Sequence, residues 1–496
     1  MSTALQCDLE EQSQEIDIKL KDKNEIIITK DSNMTALSKL NEMKLNELKK
    51  ICKDNGIKGV SNLNKNDILN KIKERVQEIV QENINKISAE TVDNSKKDTV
   101  NDVDDDRLKF IDLFCGIGGF HLALEKLNCK CVLACDIDKK CCETYKNNFN
   151  IDPVNDVKKI DEKTMPDFDI LCAGFPCQPF SNGGKKQSFK DSRGLLFDEI
   201  IRIAKHKQPR FMFLENVKHI LKVSDGKVFE YIKVQLASIG YKVQIFELSP
   251  HNYGIPQQRE RVFFVCVRND LYNNKEITLQ CKNLNLTIDD IINNEVDKKY
   301  EITKDIRNVL DAWDEIIKQF EVGEKISPTI LIHDYFRIYS PEEYAALPYW
   351  KKDYMEKNKP LIDKYESIIK PWYHKYKDIL SKREIYGKLE WQVGIIKEND
   401  SIYNYFIQMR QSGIRVKKPY YFPTLVAISQ IPIYGKNKCH LTPRQCARLQ
   451  CFPETFKLDP SDAVVYKQMG NSVNVYNVFS VINSTLMNYN FPSGSW

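Results

Sequence analysis

Apolar and polar positions alternate in two different ways along the chain. Between residues 107 and 269, short apolar runs suited to buried strands are separated by segments whose apolar residues recur every three or four positions, as in helices. This alternation predicts an α/β domain with a mostly parallel sheet and helices on both of its faces. The predicted strands are Lys109–Leu113, Cys131–Cys135, Asp169–Ala173, Phe211–Glu215 and Val262–Val267.

The rhythm stops in residues 270–440, which are rich in Lys, Tyr and Trp and contain few repeated strand–helix units. Apolar helical patterns return over residues 441–496. We therefore expect residues 270–440 to form a second, smaller domain, and residues 441–496 to return to the sheet domain. We interpret the large aromatic residues of the insert as its core: Tyr335, Trp350, Trp372, Tyr373 and Trp391.

Three further segments precede the sheet domain. Residues 1–34 are polar with little periodicity and predict a mobile, disordered tail, and residues 77–106 are acidic and predict a linker. Residues 35–76 carry two apolar helical faces, with Gly56 where the first helix should end. The first face comprises Leu45, Leu48, Ile51 and Cys52, and the second comprises Ile68, Leu69 and Ile72.

This small helical module is surrounded by lysines, and the segment Lys44–Ile72 resembles a SAP domain, a short module often bound to nucleic acid. A solvated helical hairpin without a ligand is the alternative, because lysines on an exposed helix face are ordinary.

Composition limits the class of protein. The formal charge of +5 arises from 74 basic and 69 acidic side chains, which permits a nucleic-acid partner only through a local basic surface. No run of about 18 apolar residues is present, so we expect an intracellular protein without a membrane partner. The 15 cysteines are unevenly spaced and predict reduced thiols. Those between Cys129 and Cys142 lack the paired spacing of a zinc site, and we expect no metal.

A glycine-rich turn follows the first predicted strand. Gly116, Gly118 and Gly119 stand between this strand and a helical pattern, where glycine lets the backbone approach a ligand closely. Asp136 ends the next predicted strand, where a carboxylate can bind both hydroxyls of a ribose. The pattern indicates an adenosine-containing cofactor, with tight packing of the turn as the alternative. Asp156 and the aromatic Phe114 would suit the adenine.

Cys177 has the strongest chemical signal among the cysteines. It follows the predicted strand Asp169–Ala173 between two prolines, in a loop at the carboxyl end of the sheet, where α/β folds bind their ligands. A thiolate presented in this way is a strong nucleophile. Glu215 ends another predicted strand at the same edge and can serve in proton transfer. Arg259 and Arg261 alternate along an extended segment and can bind a phosphate, a carbonyl oxygen or a carboxylate.

Taken together, these motifs resemble the cytosine-5 DNA methyltransferases of bacterial restriction-modification type. The resemblance covers residues 110–270 and 441–496, and six motifs follow the order of the family. They are Asp-Leu-Phe-x-Gly-x-Gly-Gly (112–119), Gly-Phe-Pro-Cys-Gln-x-Phe-Ser (174–181), Glu-Asn-Val (215–217), Gln-x-Arg-x-Arg (257–261), Arg-Gln-Cys-Ala-Arg (444–448) and Gly-Asn-Ser-Val (470–473).

The resemblance implies a Rossmann-like methyltransferase sheet, S-adenosylmethionine as methyl donor and duplex DNA as partner. Cys177 would attack carbon 6 of a flipped cytosine, Glu215 would hold ring nitrogen 3 and the amino group, and Arg259 and Arg261 would orient the base and the acid. The matching donor-pocket positions are Phe114, Gly116, Ile117, Gly119, Asp136, Ile137, Asp156, Val157, Pro176, Asn471, Ser472 and Val473. Ile137 stands where the family often has an aromatic residue, and Cys115 where it often has alanine.

In this family the insert reads the DNA sequence, so residues 270–440 are expected to be the target-recognition domain. Residues 181–196 resemble a mobile loop that closes over DNA. Arginine is suited to guanine, and glutamine to adenine or to an orphaned base. The predicted DNA contacts are Ser181, Arg193, Gln257, Gln411, Arg415 and Thr424.

One chain contains every motif, so a monomer is sufficient, and a cognate restriction enzyme is a candidate partner. The expected location is the cytoplasm or nucleoid, or the nucleus in a eukaryotic host. Two alternatives stay open. One branch of the same family modifies transfer RNA, which makes an RNA cytosine-5 methyltransferase the second hypothesis. A catalytically silent DNA-binding scaffold is the third.

Replacing the nucleophile provides the first test. We expect Cys177→Ser to reduce methyl incorporation from labelled S-adenosylmethionine by roughly a thousandfold or more, because a serine hydroxyl is not ionised near neutral pH. Cys7→Ser, in the predicted tail, is the matched control and should retain the full rate. An undiminished rate in the Cys177 variant would contradict the assignment of the nucleophile.

Overall fold

The computed structural model describes residues 17–20, 26–29, 44–54, 57, 60, 63–69, 71–72, 106–176, 195–280, 282–293, 297–427 and 430–496. The chain divides into two compact units, Met1–Asp106 and Arg107–Trp496.

The first unit contains a strand pair that the sequence analysis did not predict. Strands β1 (Asp17–Leu20) and β2 (Ile26–Thr29) pair in antiparallel register. The prediction of a disordered tail is therefore wrong for these residues. Three consecutive isoleucines and a threonine make up β2, and β-branched residues favour extended backbone.

Two helical segments of the N-terminal module share a small apolar core, which contains Leu48 and Cys52 of the first predicted face and all three residues of the second. Helix α1 (Leu45–Asp54) contributes one face, and the helical residues 65–69 and 71–72 contribute the other. The small shared core consists of Leu48, Cys52, Ile68, Leu69 and Ile72. Leu45 departs from the prediction because it is more than a third exposed, at 37%. Gly56 and the predicted linker, apart from Asp106, lie outside the described residues.

The second unit is built on a six-stranded sheet whose order is β4-β3-β5-β6-β8-β7. The first four strands in this order are parallel, and β8 lies antiparallel between β6 and β7. The strands are β3 (Lys109–Leu113), β4 (Lys130–Cys135), β5 (Ile170–Gly174), β6 (Phe211–Val217), β7 (Tyr241–Leu248) and β8 (Arg261–Arg268). The mostly parallel sheet is thus confirmed, and all five predicted strands are present.

Both faces of this sheet are covered, as its continuously apolar strands require. Phe110, Cys172 and Phe213 face one hydrophobic core, and Ile111, Leu171 and Leu214 face another. The helices connecting the strands are α2 (Gly119–Glu125), α3 (Lys139–Phe149), α4 (Leu195–Lys207) and α5 (Lys227–Ser238). β7 was missed because this edge strand is only half-buried over most of its length and has no strong apolar run.

The end of the chain returns to the sheet domain, as the sequence predicts. Helix α14 (Val475–Asn488) is buried from Val475 to Leu486 and packs into the same core as α2. It is preceded by α12 (Pro443–Leu449) and α13 (Asp462–Asn471). The motif residues at 470–473 therefore come back to the edge of the sheet where the glycine-rich turn lies.

The insert has a hydrophobic core of its own and a mixed sheet with the order β14-β13-β11-β12-β10-β9. Its strands are β9 (Ile330–Leu331), β10 (Lys388–Gln392), β11 (Phe406–Arg410), β12 (Gly413–Lys417), β13 (Ile433–Tyr434) and β14 (Cys439–His440). Its helices are α7 (Lys304–Ile317), α8 (Ile332–Tyr335), α9 (Pro341–Ala346), α10 (Tyr349–Lys364) and α11 (Glu366–Ser381). The short helix α6 (Ile288–Ile292) instead packs against the core of the sheet domain.

Most of the aromatic residues assigned to the core of the insert are there. Trp372, Tyr373 and Trp391 are buried in it, and Tyr335 packs against it. Trp350 does not belong to this core: it is 50% exposed and contacts Tyr354 edge-on in the first turns of α10. Periodicity cannot identify such a residue, because one exposed aromatic on a helix has the same spacing as a buried one.

Among the residues that the structure describes, no helix is long and apolar enough to cross a membrane. The twelve cysteines in this part of the chain are free thiols.

Candidate active site

The backbone of the glycine-rich turn leaves strand β3 in a left-handed conformation. Phe114, Gly116 and Gly118 have φ values of 56°, 55° and 90°. A Cβ atom at Gly118 would lie 2.2 Å from the ring of Phe149, so the turn needs glycine there. A Cβ atom at Gly116 would meet nothing within 4 Å. The turn is therefore packed tightly on one side and open at Gly116.

Asp136 is fixed against this open turn. Its carboxylate oxygens accept hydrogen bonds of 2.8 Å from the backbone N–H groups of Gly116 and Asp138. Burial raises the pKa of Asp136, while these N–H donors oppose the shift. The side chain of the neighbouring Ile137 is 78% exposed and can therefore contact a ligand. The carboxylate and the exposed apolar side chain suit a ribose and an adjoining flat base.

Asp112 is a further polar residue at the turn, which the sequence analysis quoted only as part of a motif. It is fully buried on β3, and neither of its carboxylate oxygens has a hydrogen-bond partner among the described residues. Burial and the nearby charge of Asp136 raise its pKa well above the usual range. A buried carboxyl group without a partner is costly, so this position fits a site that is completed by a polar ligand.

The other predicted donor-pocket residues differ in how far they are exposed to solvent. Pro176 and Asn471 are exposed, while Ile117 and Val157 are buried in the cores and can offer a ligand only their backbone. Asp156 caps a short helical turn by accepting the N–H of Lys158 at 3.0 Å. Ser472 and Val473 are nearly buried.

The return segment closes directly on the glycine turn. A Cβ atom at Gly119 would lie 2.6 Å from Cγ2 of Val473 and 3.2 Å from Oγ of Ser472. Glycine at 119 therefore lets the return segment approach, which explains why motifs far apart in the sequence adjoin in the fold.

Glu215 and Arg261 form a buried ion pair at the same edge of the sheet. The Nε atom of Arg261 lies 2.9 Å from Oε1 of Glu215, and both side chains are at most 15% exposed. Burial raises the pKa of Glu215, although the charges of Arg261 and Arg259 oppose the shift. The loss of solvation raises the pKa of Glu215 more than the two cations lower it. Glu215 therefore holds a proton more readily than an exposed carboxyl group does.

Arg259 is more deeply buried and is held by backbone groups. Its guanidinium donates to the carbonyl oxygens of Leu425, Gly470 and Ser472 at 2.9, 2.9 and 2.6 Å. Its backbone N–H donates to Oγ of Ser249 at 2.9 Å. Only Arg261 of the predicted pair touches Glu215, whereas Arg259 ties the end of the insert to the return segment.

The loop that carries the predicted nucleophile begins beside Glu215. Gly174 pairs in register with Glu215 on the neighbouring strand, and the side-chain amide of Asn216 donates to the carbonyl oxygen of Phe175 at 2.9 Å. Asn216 thus fixes the backbone two residues before Cys177. Cys177, Ser181 and Arg193 themselves lie outside the described residues.

The predicted DNA contacts fall into different environments. Gln411 is exposed in the turn between β11 and β12, and Arg415 pairs with Glu390. The hydroxyl of Thr424 donates to the backbone carbonyl of Gln258 at 2.5 Å. Gln257 is fully buried, and both of its side-chain polar atoms are without a partner among the described residues, so this arrangement does not present it to solvent.

These features define an α/β domain in which the glycine turn and the Glu215–Arg261 pair lie at the edge of a mostly parallel sheet. The chain matches the C-5 cytosine-specific DNA methylase family over residues 108–486. It therefore belongs to that family, and it is a cytosine-5 DNA methyltransferase whose methyl donor is S-adenosylmethionine.

Individual relatives agree with this family. The chain is 31% identical over 378 residues to Type II methyltransferase M.HhaI of Haemophilus parahaemolyticus, across 76% of this chain and 93% of that protein. It is 30% identical over 429 residues to Type II methyltransferase M.BanI of Aneurinibacillus aneurinilyticus, across 77% of this chain and 96% of that protein. A crystal structure of the S. pombe Dnmt2 methyltransferase matches with a TM-score of 0.46 and 20% identity, over 78% of this chain and all of that one.

The front of the chain matches a different family. Residues 39–78 match the N-terminal domain of the Rho termination factor. The resemblance of this segment to a SAP domain stays a prediction.

Proposed function

We propose that Cys177, Glu215 and Arg261 form the reaction site, and that the enzyme methylates cytosine within a short, specific sequence of duplex DNA. The buried Glu215–Arg261 pair carries this proposal, because it lies one strand away from the start of the Cys177 loop. A carboxyl group and a guanidinium there can bind the polar edge of a base that has left the duplex.

The reaction follows from the groups present. The thiolate of Cys177 adds to carbon 6, and the electrons of the 5,6 double bond move into the ring as Glu215 donates a proton to ring nitrogen 3. Carbon 5 would then form a bond to the methyl carbon of S-adenosylmethionine as the bond between that carbon and the donor sulfur breaks, which leaves S-adenosylhomocysteine. A water molecule would take the proton from carbon 5 as the thiolate of Cys177 leaves carbon 6, which restores the 5,6 double bond, and ring nitrogen 3 would return its proton to Glu215. Glu215 suits its step because burial raises its pKa.

The donor would bind at the open side of the turn. Asp136 is oriented toward the turn by the N–H of Gly116, and the exposed Ile137 offers an apolar surface for adenine. Asp112 and Asn471 would supply polar contacts to the rest of the molecule. These residues are held by the turn and by the return segment, so the site is largely formed before ligand binds.

The insert would read the target sequence, and the N-terminal module would add affinity for nucleic acid. A single chain supplies both the donor site and the reaction site, so we propose a monomer as the working form. A cognate restriction endonuclease is the proposed cellular partner, in keeping with the type II names of the relatives.

The substrate is tested by incubating the protein and labelled S-adenosylmethionine with mixed-sequence duplex DNA and, separately, with total RNA. Bisulfite sequencing then maps the modified cytosines. We expect methyl groups on DNA at one short recurrent sequence. Methylation of RNA alone would contradict the proposal and favour the RNA enzyme, and no methylation of either would favour the silent scaffold.

The role of Glu215 is tested by its pH dependence. Glu215→Gln should lower the rate near pH 7 by roughly a hundredfold or more, because the amide cannot donate a proton to the ring. In the wild type the rate should fall at high pH as Glu215 deprotonates. In the variant this fall should disappear, and the rate should rise with pH until the Cys177 thiol is fully ionised.

Steady-state rates between pH 5 and 10 measure this difference. The matched control is Glu260→Gln, which removes a carboxylate that is 55% exposed and paired with Lys218. If the rate of Glu215→Gln still falls at high pH as the wild-type rate does, Glu215 is not the proton donor.

A further inference from the structure

Arg415 and Glu390 form an ion pair inside the target-recognition insert. They are direct partners in the parallel pairing of β12 with β10, and Nε of Arg415 donates to Oε2 of Glu390 at 2.7 Å. Their side chains are 23% and 18% exposed, so the pair is largely shielded from water while remaining reachable. Such a pair is more rigid than an ion pair on an open surface.

The geometry of this contact leaves one edge of the guanidinium available. A guanidinium has a side edge that includes Nε and an end edge formed by its two terminal nitrogens. Within the described residues, the hydrogen bond of Arg415 is made through Nε. The other oxygen of Glu390 accepts the side-chain amide of Gln392 at 2.5 Å. The carboxylate is thus held from two sides, and it fixes the plane of the guanidinium without occupying its end edge.

Arg415 lies on the strand face that is turned away from the core of the insert. Its neighbours Ile414 and Val416 are buried in that core. Lys417, two residues further on the face of Arg415, donates to the side-chain oxygen of Gln258 at 3.0 Å. Gln258 immediately precedes Arg259 in the motif that also holds Arg261. The outer face of β12 therefore contacts the segment that leads to Arg259 and Arg261.

We propose that Glu390 is a specificity-determining residue, which orients the end edge of Arg415 for bidentate recognition of one guanine in the target sequence. Guanine presents two acceptors, O6 and N7, in the major groove, and two parallel guanidinium N–H groups match them. Glu390 acts through Arg415 and is thus a positioning residue. The inference rests on the proposed reading of DNA by the insert.

The carboxylate also excludes other bases at this position. An adenine would place its amino group against the donors of a fixed guanidinium, whereas a mobile one can turn away. Removing Glu390 should therefore weaken discrimination more than it weakens catalysis at the preferred sequence.

The test is methylation of a randomised duplex library by the full-length protein, read by bisulfite sequencing. We expect Arg415→Ala and Glu390→Ala to relax the preference for guanine at one and the same position, by on the order of tenfold, and to leave the other positions unchanged. Glu390→Gln keeps the size and the acceptor oxygen and should give a smaller relaxation. The double variant should be no less selective than Arg415→Ala alone.

The matched control is Glu315→Gln, which removes the partner of Lys375 in an ion pair between α7 and α11. It should keep every preference. Thermal unfolding checks that each variant is folded. If Glu390→Ala is not folded, the test uses Glu390→Gln instead. If both Glu390 variants keep the selectivity of the wild type at every position, this inference is overturned and the proposed function is not. If the wild-type protein methylates no DNA, the proposed function itself is overturned.

Discussion

The guanidinium group of Arg259 is buried, and it donates to three backbone carbonyl groups that belong to two remote segments of the chain. Burying a charge is costly unless hydrogen bonds compensate the lost hydration, so these three bonds constrain both segments at once, although Nε of Arg259 has no partner among the described residues. Leu425 lies in the insert between β12 and β13, while Gly470 and Ser472 belong to the return motif. The site depends on this constraint because all three chain segments meet there.

The contacts of Arg259 also affect the proposed donor site and the proposed reaction site. The return motif that Arg259 holds also supplies Val473, which packs on Gly119 at the donor turn. Gly470 is in equally close contact, since a Cβ atom there would lie 2.3 Å from the backbone of Val426. Two residues after Arg259, Arg261 reaches Glu215. One short motif thus connects the proposed donor site, the proposed reaction site and the insert.

Much of this arrangement follows from local sequence patterns. Buried strands have continuous apolar runs, and the carboxyl ends of parallel strands meet at one edge, so the proximity of the glycine turn, Gly174 and Glu215 could be predicted. The different contacts of Arg259 and Arg261 could not be predicted from the sequence. Alternation along an extended segment does not reveal that one side chain will bind backbone carbonyl groups and the other a carboxylate. The same limit applies to Glu390, whose partner is 25 residues away and is set by strand pairing in the insert. The strand pair β1–β2 and the exposure of Trp350 were missed because each depends on a neighbour that the local pattern does not specify.

The most direct test of this account compares Arg259→Met with Arg261→Met in urea unfolding and in methyl transfer. Arg259→Met removes the donors to the carbonyl groups of Leu425 and Gly470 and leaves that of Ser472 with only the side-chain amide of Gln450 at 3.4 Å. It should therefore lower the free energy of unfolding by about 3 kcal/mol, along with activity. Arg261→Met should abolish most activity at a cost of no more than about 1 kcal/mol, because Glu215 can take up a proton. Equal, small losses of stability in the two variants would show that Arg259 does not hold the segments together and would contradict the account.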